Sequence, residues 1–295
     1  MPLHRAPHRA PERCYPAFDD RVSARFVRLR SGVQVRVVEC GPRDGPPVVL
    51  LPGWGVSAFT YREQVPALGA AGYRAAAVDL KGHGFSDKPT ERGEYTFPAM
   101  LRHAQEVIEA VAGGPAIVVA QSMAAPLAVG LALADETIRR LVLVSPVGLG
   151  VVPFIGPAEF LTPRLLDPIA PRLVRRAAVR LALGLAYGHS ARVTEDIVDE
   201  YWAPAQFPDY ARALRALVHD FTWSPLPDAQ LAAVEDRTLV VLGSLDRLVR
   251  GARDRAGQLF GSDVVVVPDA GHAVHEERPE AVNAAILTFL GRPAV

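Results

Sequence analysis

The stretch Ala116-Ile-Val-Val-Ala-Gln-Ser-Met-Ala-Ala125 constrains this chain more than any other. An apolar run with strand character stops at one serine, Ser122, and a helix-like run from Pro126 to Ala134 begins almost at once. The residues two before and two after the serine, Ala120 and Ala124, are small. A sharp strand-to-helix turn that holds a side chain up at the end of a sheet needs this, because bulky neighbours would clash with its strained backbone. The strict form of the turn is Gly-x-Ser-x-Gly. Here both glycines are alanines, each adding a methyl group and giving up some access to positive φ. Two readings are open from this stretch alone: Ser122 as a nucleophile, or Ser122 as a cap on a helix N-terminus.

A nucleophilic serine needs partners, and the sequence offers them downstream. Thr238 to Gly243 reads as a buried strand, with Asp246 just past its end. Asp263 to Val267 reads as another, and His272 follows Gly271 in the next loop, ahead of the helix-like run Pro279 to Leu290. Ser122, Asp246 and His272 therefore all lie just beyond the C-terminal ends of expected parallel strands. In an open α/β sheet those ends share one edge, where ligands bind. A serine hydroxyl is a weak nucleophile at neutral pH. An imidazole takes its proton and returns it to the leaving group, and a carboxylate holds the imidazole in the right tautomer.

The rest of the chain supports a sheet of this kind. Residues 24–39 alternate apolar and polar about Ser31-Gly32 and read as a hairpin. Strand and helix patterns then alternate: strand 47–51, helix 60–71, strand 73–78, helix 98–112, strand 116–120, helix 123–134, strand 140–145. The expected fold class is α/β, a mostly parallel eight-stranded sheet with helices on both faces. The alternation breaks near residue 147 and resumes near 237. The expected division is a flexible tail over 1–20, a first core part over 21–147, an inserted helical cap over 148–236, and a second core part over 237–295.

Four blocks, in order, make this chain resemble the α/β-hydrolase superfamily from about residue 20 onward. They are Leu50-Leu-Pro-Gly-Trp-Gly55, Asp79-Leu-Lys-Gly-His-Gly-Phe-Ser86, the Ser122 turn, and the loops of Asp246 and His272. The order Ser, Asp, His is that of this superfamily. The chain looks most like its capped esterases and its carbon–carbon bond hydrolases of ring-fission products. The resemblance implies a catalytic Ser122, His272 and Asp246, and an oxyanion hole from the backbone N–H groups of Trp54 and Met123. Such donors stabilise the tetrahedral intermediate by about 3–4 kcal/mol each. Most relatives carry His-Gly where this chain has Pro52-Gly53; because the donors are backbone groups, the change bears on loop conformation rather than on chemistry. The Asp79 block is expected to be a scaffold loop with His83 outside the chemistry. His275 is expected beside the site or at the surface. His4, His8, His103, His189 and His219 have no motif around them.

Composition narrows the function classes. Hydrophobic residues are 49% of 295, enough to fill a core on both sides of a sheet. Lys+Arg and Asp+Glu are 32 each, which argues against electrostatic nucleic-acid binding. Neither Cys14, in the expected tail, nor Cys40 has a partner at metal-ligand spacing, and a disulfide between them would not suit a reducing compartment. The proline-rich, basic N-terminus has no signal-peptide core, and no run is long enough to span a membrane. The expectation is a cytoplasmic protein without stable membrane insertion and of open oligomeric state.

Within the expected cap, Arg172, Arg175, Arg176 and Arg180 share one helical face, beside a stripe of Leu173, Ala177 and Leu181, with Val174 and Leu183 farther round. The arginines read as a solvated face, with a basic rim for carboxylate-bearing substrates or a partner surface as alternatives. Val147 to Gly156 is apolar and glycine-rich and reads as a mobile lip of the pocket. The cap aromatics Phe160, Tyr187, Tyr201, Trp202, Phe207, Tyr210, Phe221 and Trp223 are expected to pack, some of them against an apolar acyl group.

Three functions follow. The first is hydrolysis of a small, mostly apolar carboxylic ester through an acyl-enzyme on Ser122, with no metal or organic cofactor called for. The second is cleavage of a carbon–carbon bond by the same residues. The third is a slow-turnover ligand-binding or receptor protein on the same fold, since fold alone does not fix function. Epoxide hydrolase and haloalkane dehalogenase chemistry fits less well, because those relatives carry aspartate where this chain has Ser122.

Overall fold

Eight strands form one sheet in the computed structural model, which describes residues 11–134, 137–163, 165 and 174–292. The strands are β1 (Ser23–Arg28), β2 (Gln34–Cys40), β3 (Pro47–Leu51), β4 (Arg74–Val78), β5 (Ala116–Gln121), β6 (Ile138–Val144), β7 (Thr238–Gly243) and β8 (Val264–Val267). Their spatial order is β1-β2-β4-β3-β5-β6-β7-β8. The β1–β2 and β2–β4 pairs are antiparallel; every later pair is parallel.

Successive side chains of a strand point to opposite faces, so a strand covered on both sides is apolar throughout. In β3, Val49 and Leu51 enter one core with Ala76, Val78, Val118 and Ala120, while Val48 and Leu50 enter the other with Ala75, Ala77 and Val119. The first core is closed by α2 (Phe97–Ala112) through Ala104 and Val107, and by α3 (Ala124–Ala134) through Leu127 and Ala128. The second is closed by α1 (Gln64–Ala70) through Val65 and Leu68. The C-terminal helix Pro279–Leu290 closes it further through Val282, Ile286 and Phe289. The expected helices on both faces are therefore present.

The strand order reverses between β3 and β5, which are paired neighbours although β4 lies between them in sequence. Ligands of open α/β sheets bind at such a switch point. The loops that leave β3 and β5 are those carrying Trp54 and Ser122.

Between β6 and β7 the chain is helical: α4 (Ile155–Leu161), α5 (Arg176–Ala186), α6 (Glu195–Trp202), α7 (Pro208–Asp220) and α8 (Asp228–Ala232) among the described residues. One expectation changes in part here: the arginines of α5 stay partly solvated but are paired with acids, and part of the apolar stripe is exposed. The Nε of Arg176 lies 2.6 Å from Asp199 Oδ1, and both Arg176 and Arg180 pair with Glu195. The arginine side of α5 thus turns toward the acidic start of α6, while Leu181 and Leu185 are exposed at 66% and 62%. Arg172 and Leu173 lie outside the described residues.

The N-terminal segment also differs from expectation. The sequence reads as a loose tail through residue 20, yet Cys14 and Tyr15 are buried. The Tyr15 N–H donates to Glu200 Oε2 on α6 at 3.0 Å, and its carbonyl accepts from Arg36 Nη1 at 3.0 Å. A buried carboxylate and a buried guanidinium, distant in sequence, fix this backbone. Cys14 and Cys40 are not joined in a disulfide.

After β7 come α9 (Ala252–Phe260), then β8, the short α10 (Val274–Glu277) and α11 (Pro279–Leu290). Among the described residues no helix is long and apolar enough to cross a membrane.

Candidate active site

Ser122 follows the last residue of β5 with φ of 51°, in the left-handed region that non-glycine residues seldom occupy. The surrounding backbone fixes it there. Its N–H donates to Val144 O at 3.0 Å, and its carbonyl accepts from Ala125 and Val147 at 3.0 and 3.1 Å. The left-handed conformation falls on the serine itself, while Ala120 and Ala124 keep negative φ and are wholly buried. At these two positions the turn therefore requires small size rather than glycine's freedom. That is why a pair of alanines can stand there.

His272 Nε2 lies 2.8 Å from Ser122 Oγ, and His272 Nδ1 lies 2.9 Å from Asp246 Oδ2. The three side chains come from the loops after β5, β8 and β7, and the structure brings together all three residues singled out in the sequence. Ser122 and His272 are 8% and 7% exposed, so water competes little for these hydrogen bonds. Burial pushes the Asp246 carboxyl up, but the adjacent imidazole, its hydrogen bond and the backbone N–H groups of Leu248 and Val249 outweigh it. The carboxyl stays below the usual carboxylate range. The Leu248 N–H donates to Asp246 Oδ1 at 2.9 Å, which leaves Oδ2 for the imidazole. Such an array can deprotonate the hydroxyl as it attacks and stabilise the imidazolium that forms.

Trp54 and Met123 lie on the two loops that flank the switch point. The Gly53 N–H donates to Gln121 Oε1 at 2.8 Å, tying the loop after β3 to the end of β5. A Cβ on Gly53 would lie 2.2 Å from that Oε1 and 2.9 Å from Ser122 Cβ, so only glycine permits this approach. The insertion holds the same loop from above. Trp54 Nε1 donates to Leu214 O at 2.9 Å, and the Tyr210 hydroxyl donates to Gly55 O at 3.0 Å, both from α7.

The remaining histidines have other surroundings. His83 and His275 are buried and pushed down to about 4 by desolvation, and His103 to about 3. His275 packs on Tyr61, lies 2.7 Å from Thr60 Oγ1 and is fully buried, so it is not at the surface. His189 pairs with exposed Asp269, and His219 lies 2.7 Å from Thr162 O. His4 and His8 lie outside the described residues. Asp79 is a scaffold: its carboxylate accepts from Ala58 N–H at 2.6 Å and Phe85 N–H at 2.8 Å and pairs with buried Arg36.

Sequence reasoning missed three polar residues around the site. Gln121 had a signal, an amide ending an apolar strand. Glu276 and Glu277 had none, because most of their partners are remote. Glu276 accepts from Arg62, Thr60, Tyr187 and Tyr201, and Glu277 from Gly188, Gly271 and Arg192. Tyr187 and Tyr201 thus serve this network, while Phe160, expected to pack, is 85% exposed.

The surface clefts among the described residues include these two. One of about 390 Å³ runs beside Asp246 and is lined also by Arg247, Arg250 and Arg253. The other, about 500 Å³, lies between α3 and the segment 222–230. Neither is lined by Ser122 or His272, which are buried.

Known proteins place this geometry in context. A family model described as the alpha/beta hydrolase family matches residues 48–285. A magnesium-chelatase 30 kDa subunit of Rhodobacter capsulatus is 27% identical over 262 residues, which is 86% of this chain and 90% of that protein. A haloalkane dehalogenase of Mycobacterium marinum is 45% identical, but over 75 residues, about a quarter of either chain. Among solved structures, carboxylesterase CesB of Bacillus subtilis superposes with a TM-score of 0.73 at 20% identity, covering 93% of each chain. At that identity the likeness speaks for the fold.

Proposed function

This chain belongs to the alpha/beta hydrolase family, and we propose that it is a serine hydrolase cleaving a small, mostly apolar carboxylic ester through an acyl-enzyme on Ser122. The observation that carries this reading is the continuous hydrogen-bonded line from Ser122 Oγ through His272 to Asp246, with the serine held at positive φ.

In this reading Ser122 Oγ bonds to the ester carbonyl carbon while its proton passes to His272 Nε2. The carbonyl electron pair moves onto oxygen, where the N–H groups of Trp54 and Met123 stabilise it. The intermediate collapses and the C–O bond to the alcohol breaks, with the alkoxide taking the proton from His272. Water, deprotonated by the same imidazole, then releases the acid from Ser122. Asp246 stays ionised and orients the ring.

A second reading is a slow-turnover binding protein on the same fold. One observation favours it: a relative matched over 90% of its own length carries the name of a chelatase subunit.

Intact mass after exposure to a fluorophosphonate separates the two. The probe needs an activated serine and no knowledge of the substrate. A single adduct on the wild type and none on Ser122→Ala supports the hydrolase. No adduct on the folded wild type removes it in favour of the binding protein.

A further inference from the structure

Glu277 lies five residues beyond His272, at the end of α10, and its carboxylate is enclosed. Oε1 accepts two backbone N–H groups, from Gly271 at 2.7 Å and from Gly188 at 2.9 Å. Oε2 accepts from Arg192 Nη1 at 2.9 Å. Gly271 immediately precedes His272. Gly188 lies two residues beyond the end of α5, in the insertion. One oxygen therefore binds the histidine loop and the insertion together.

The same two segments touch directly. The N–H of His272 donates to Ala186 O, the last residue of α5, at 2.7 Å, and the Ala273 N–H reaches the same oxygen at 3.2 Å. The approach leaves no room for side chains. A Cβ on Gly271 would lie 2.3 Å from Gly188 N, and one on Gly188 would lie 2.8 Å from Gly271 N. A backbone this close to another has its position set by the groups that bridge them.

Enclosing a carboxylate is costly, and an apolar contact often joins two segments as stably. A carboxylate contributes something an apolar contact does not: directed, charge-assisted acceptors that fix distance and angle. Here they act on the peptide next to the imidazole.

We propose that Glu277 is a positioning residue for His272, setting the imidazole against Ser122 by fixing the Gly271 peptide to the end of α5. The inference rests on the reading of His272 as the base of a serine hydrolase. Glu277 does not reach the reacting atoms; it acts through the loop. The insertion thereby becomes part of the machinery that aligns the base, and not only a cover over it. A displacement of about 1 Å at a reacting group can lower a rate by about 100-fold, which is the scale expected when the bridge is lost.

The test is the second-order rate constant for fluorophosphonate labelling of Ser122, measured well below each variant's unfolding midpoint with folding checked by circular dichroism. Glu277→Ala should label about 100-fold more slowly than wild type. Glu277→Gln keeps Oε1 and both N–H bonds, and should label within about three-fold of wild type, although losing the charge opposite Arg192 lowers its midpoint. A purely stabilising role would lower both midpoints and leave both labelling rates alone. Glu277→Ala labelling at the wild-type rate, or Glu277→Gln failing as badly as Glu277→Ala, overturns the proposal. Should Glu277→Ala not fold, Glu277→Asp, too short to reach both N–H groups, carries the same expectation. A folded wild type that takes no label removes the hydrolase reading itself, and Glu277's role with it. A labelled wild type beside an unaffected Glu277→Ala removes this inference alone.

Discussion

His272 Nε2 stands 2.8 Å from Ser122 Oγ across 150 residues of sequence, and both atoms are shielded from solvent. The geometry makes the orientation of the ring decisive, and that orientation depends on Asp246 Oδ2 at 2.9 Å. Asp246→Asn would offer an amide N–H or a neutral oxygen to Nδ1 and favour the wrong tautomer. The expected outcome is a fall in turnover of roughly 10⁴-fold with the fold retained, as read by ester hydrolysis and circular dichroism. A variant within ten-fold of wild type would remove Asp246 from the mechanism.

Gly53→Ala addresses the other half of the site. The added methyl group must displace Gln121 Oε1, 2.2 Å away, and crowd Ser122 Cβ at 2.9 Å. Gln121 Oε1 ends a side chain that can swing away only by giving up its bond to the Gly53 N–H, and Ser122 Cβ is anchored to the backbone, so the loop carrying Trp54 shifts. Overpacking of this kind costs about 1–3 kcal/mol, and a displaced donor lowers kcat by about 100-fold. Stability by urea titration and kcat should both fall. Wild-type kcat in this variant would mean that the Trp54 loop lends nothing to the oxyanion.

Arg62 and Glu276 form an ion pair in which the carboxylate is 2% exposed and the guanidinium 16%. Glu276 also accepts from Tyr201 at 2.7 Å and Tyr187 at 3.0 Å, so it joins the insertion to the core. Arg62→Ala leaves that carboxylate buried with its countercharge gone. Breaking a buried pair from one side costs about 3–5 kcal/mol. The double variant Arg62→Ala, Glu276→Gln should recover part of that loss; if the two losses simply add, the pair is not coupled.

The parts of this protein that were legible in the sequence depend on local pattern. The Ser122 turn is written within ten residues, as an apolar run, a serine and small neighbours. Asp246 and His272 each follow an apolar run, and topology alone brings strand ends to one edge. The orientation of α5 was not legible, because its arginines look like a solvated face until Glu195 and Asp199 lie opposite them. Nor was the packing of Cys14 and Tyr15, which depends on Glu200 and Arg36. Glu277 gave no signal because its partners Gly188 and Arg192 lie more than eighty residues away. Buried polar pairings between remote segments carry no periodicity.

Acid should destabilise this protein from a higher pH than its carboxylates alone would dictate. His83, His103 and His275 are buried and titrate near 4, 3 and 4, against about 6.5 in an unfolded chain. Between those values the unfolded chain binds more protons than the folded one, so stability is full above about pH 6.5 and falls as the pH drops toward 4. Each histidine contributes a slope of up to about 1.4 kcal/mol per pH unit in that window. Asp246 and Glu276, held below their ordinary values, contribute in the same sense but at lower pH, as the pH falls through their folded values. His103 offers the clearest test, because its Nε2 accepts the Lys81 N–H at 2.9 Å and can do so only while neutral. In His103→Gln the amide oxygen can accept that N–H at any pH. Urea denaturation at pH 7 and pH 5 should show a smaller loss of stability in this variant, by up to about 2 kcal/mol. Equal losses in the variant and the wild type would mean that His103 is already protonated in the fold, and that the Lys81 N–H has some other acceptor.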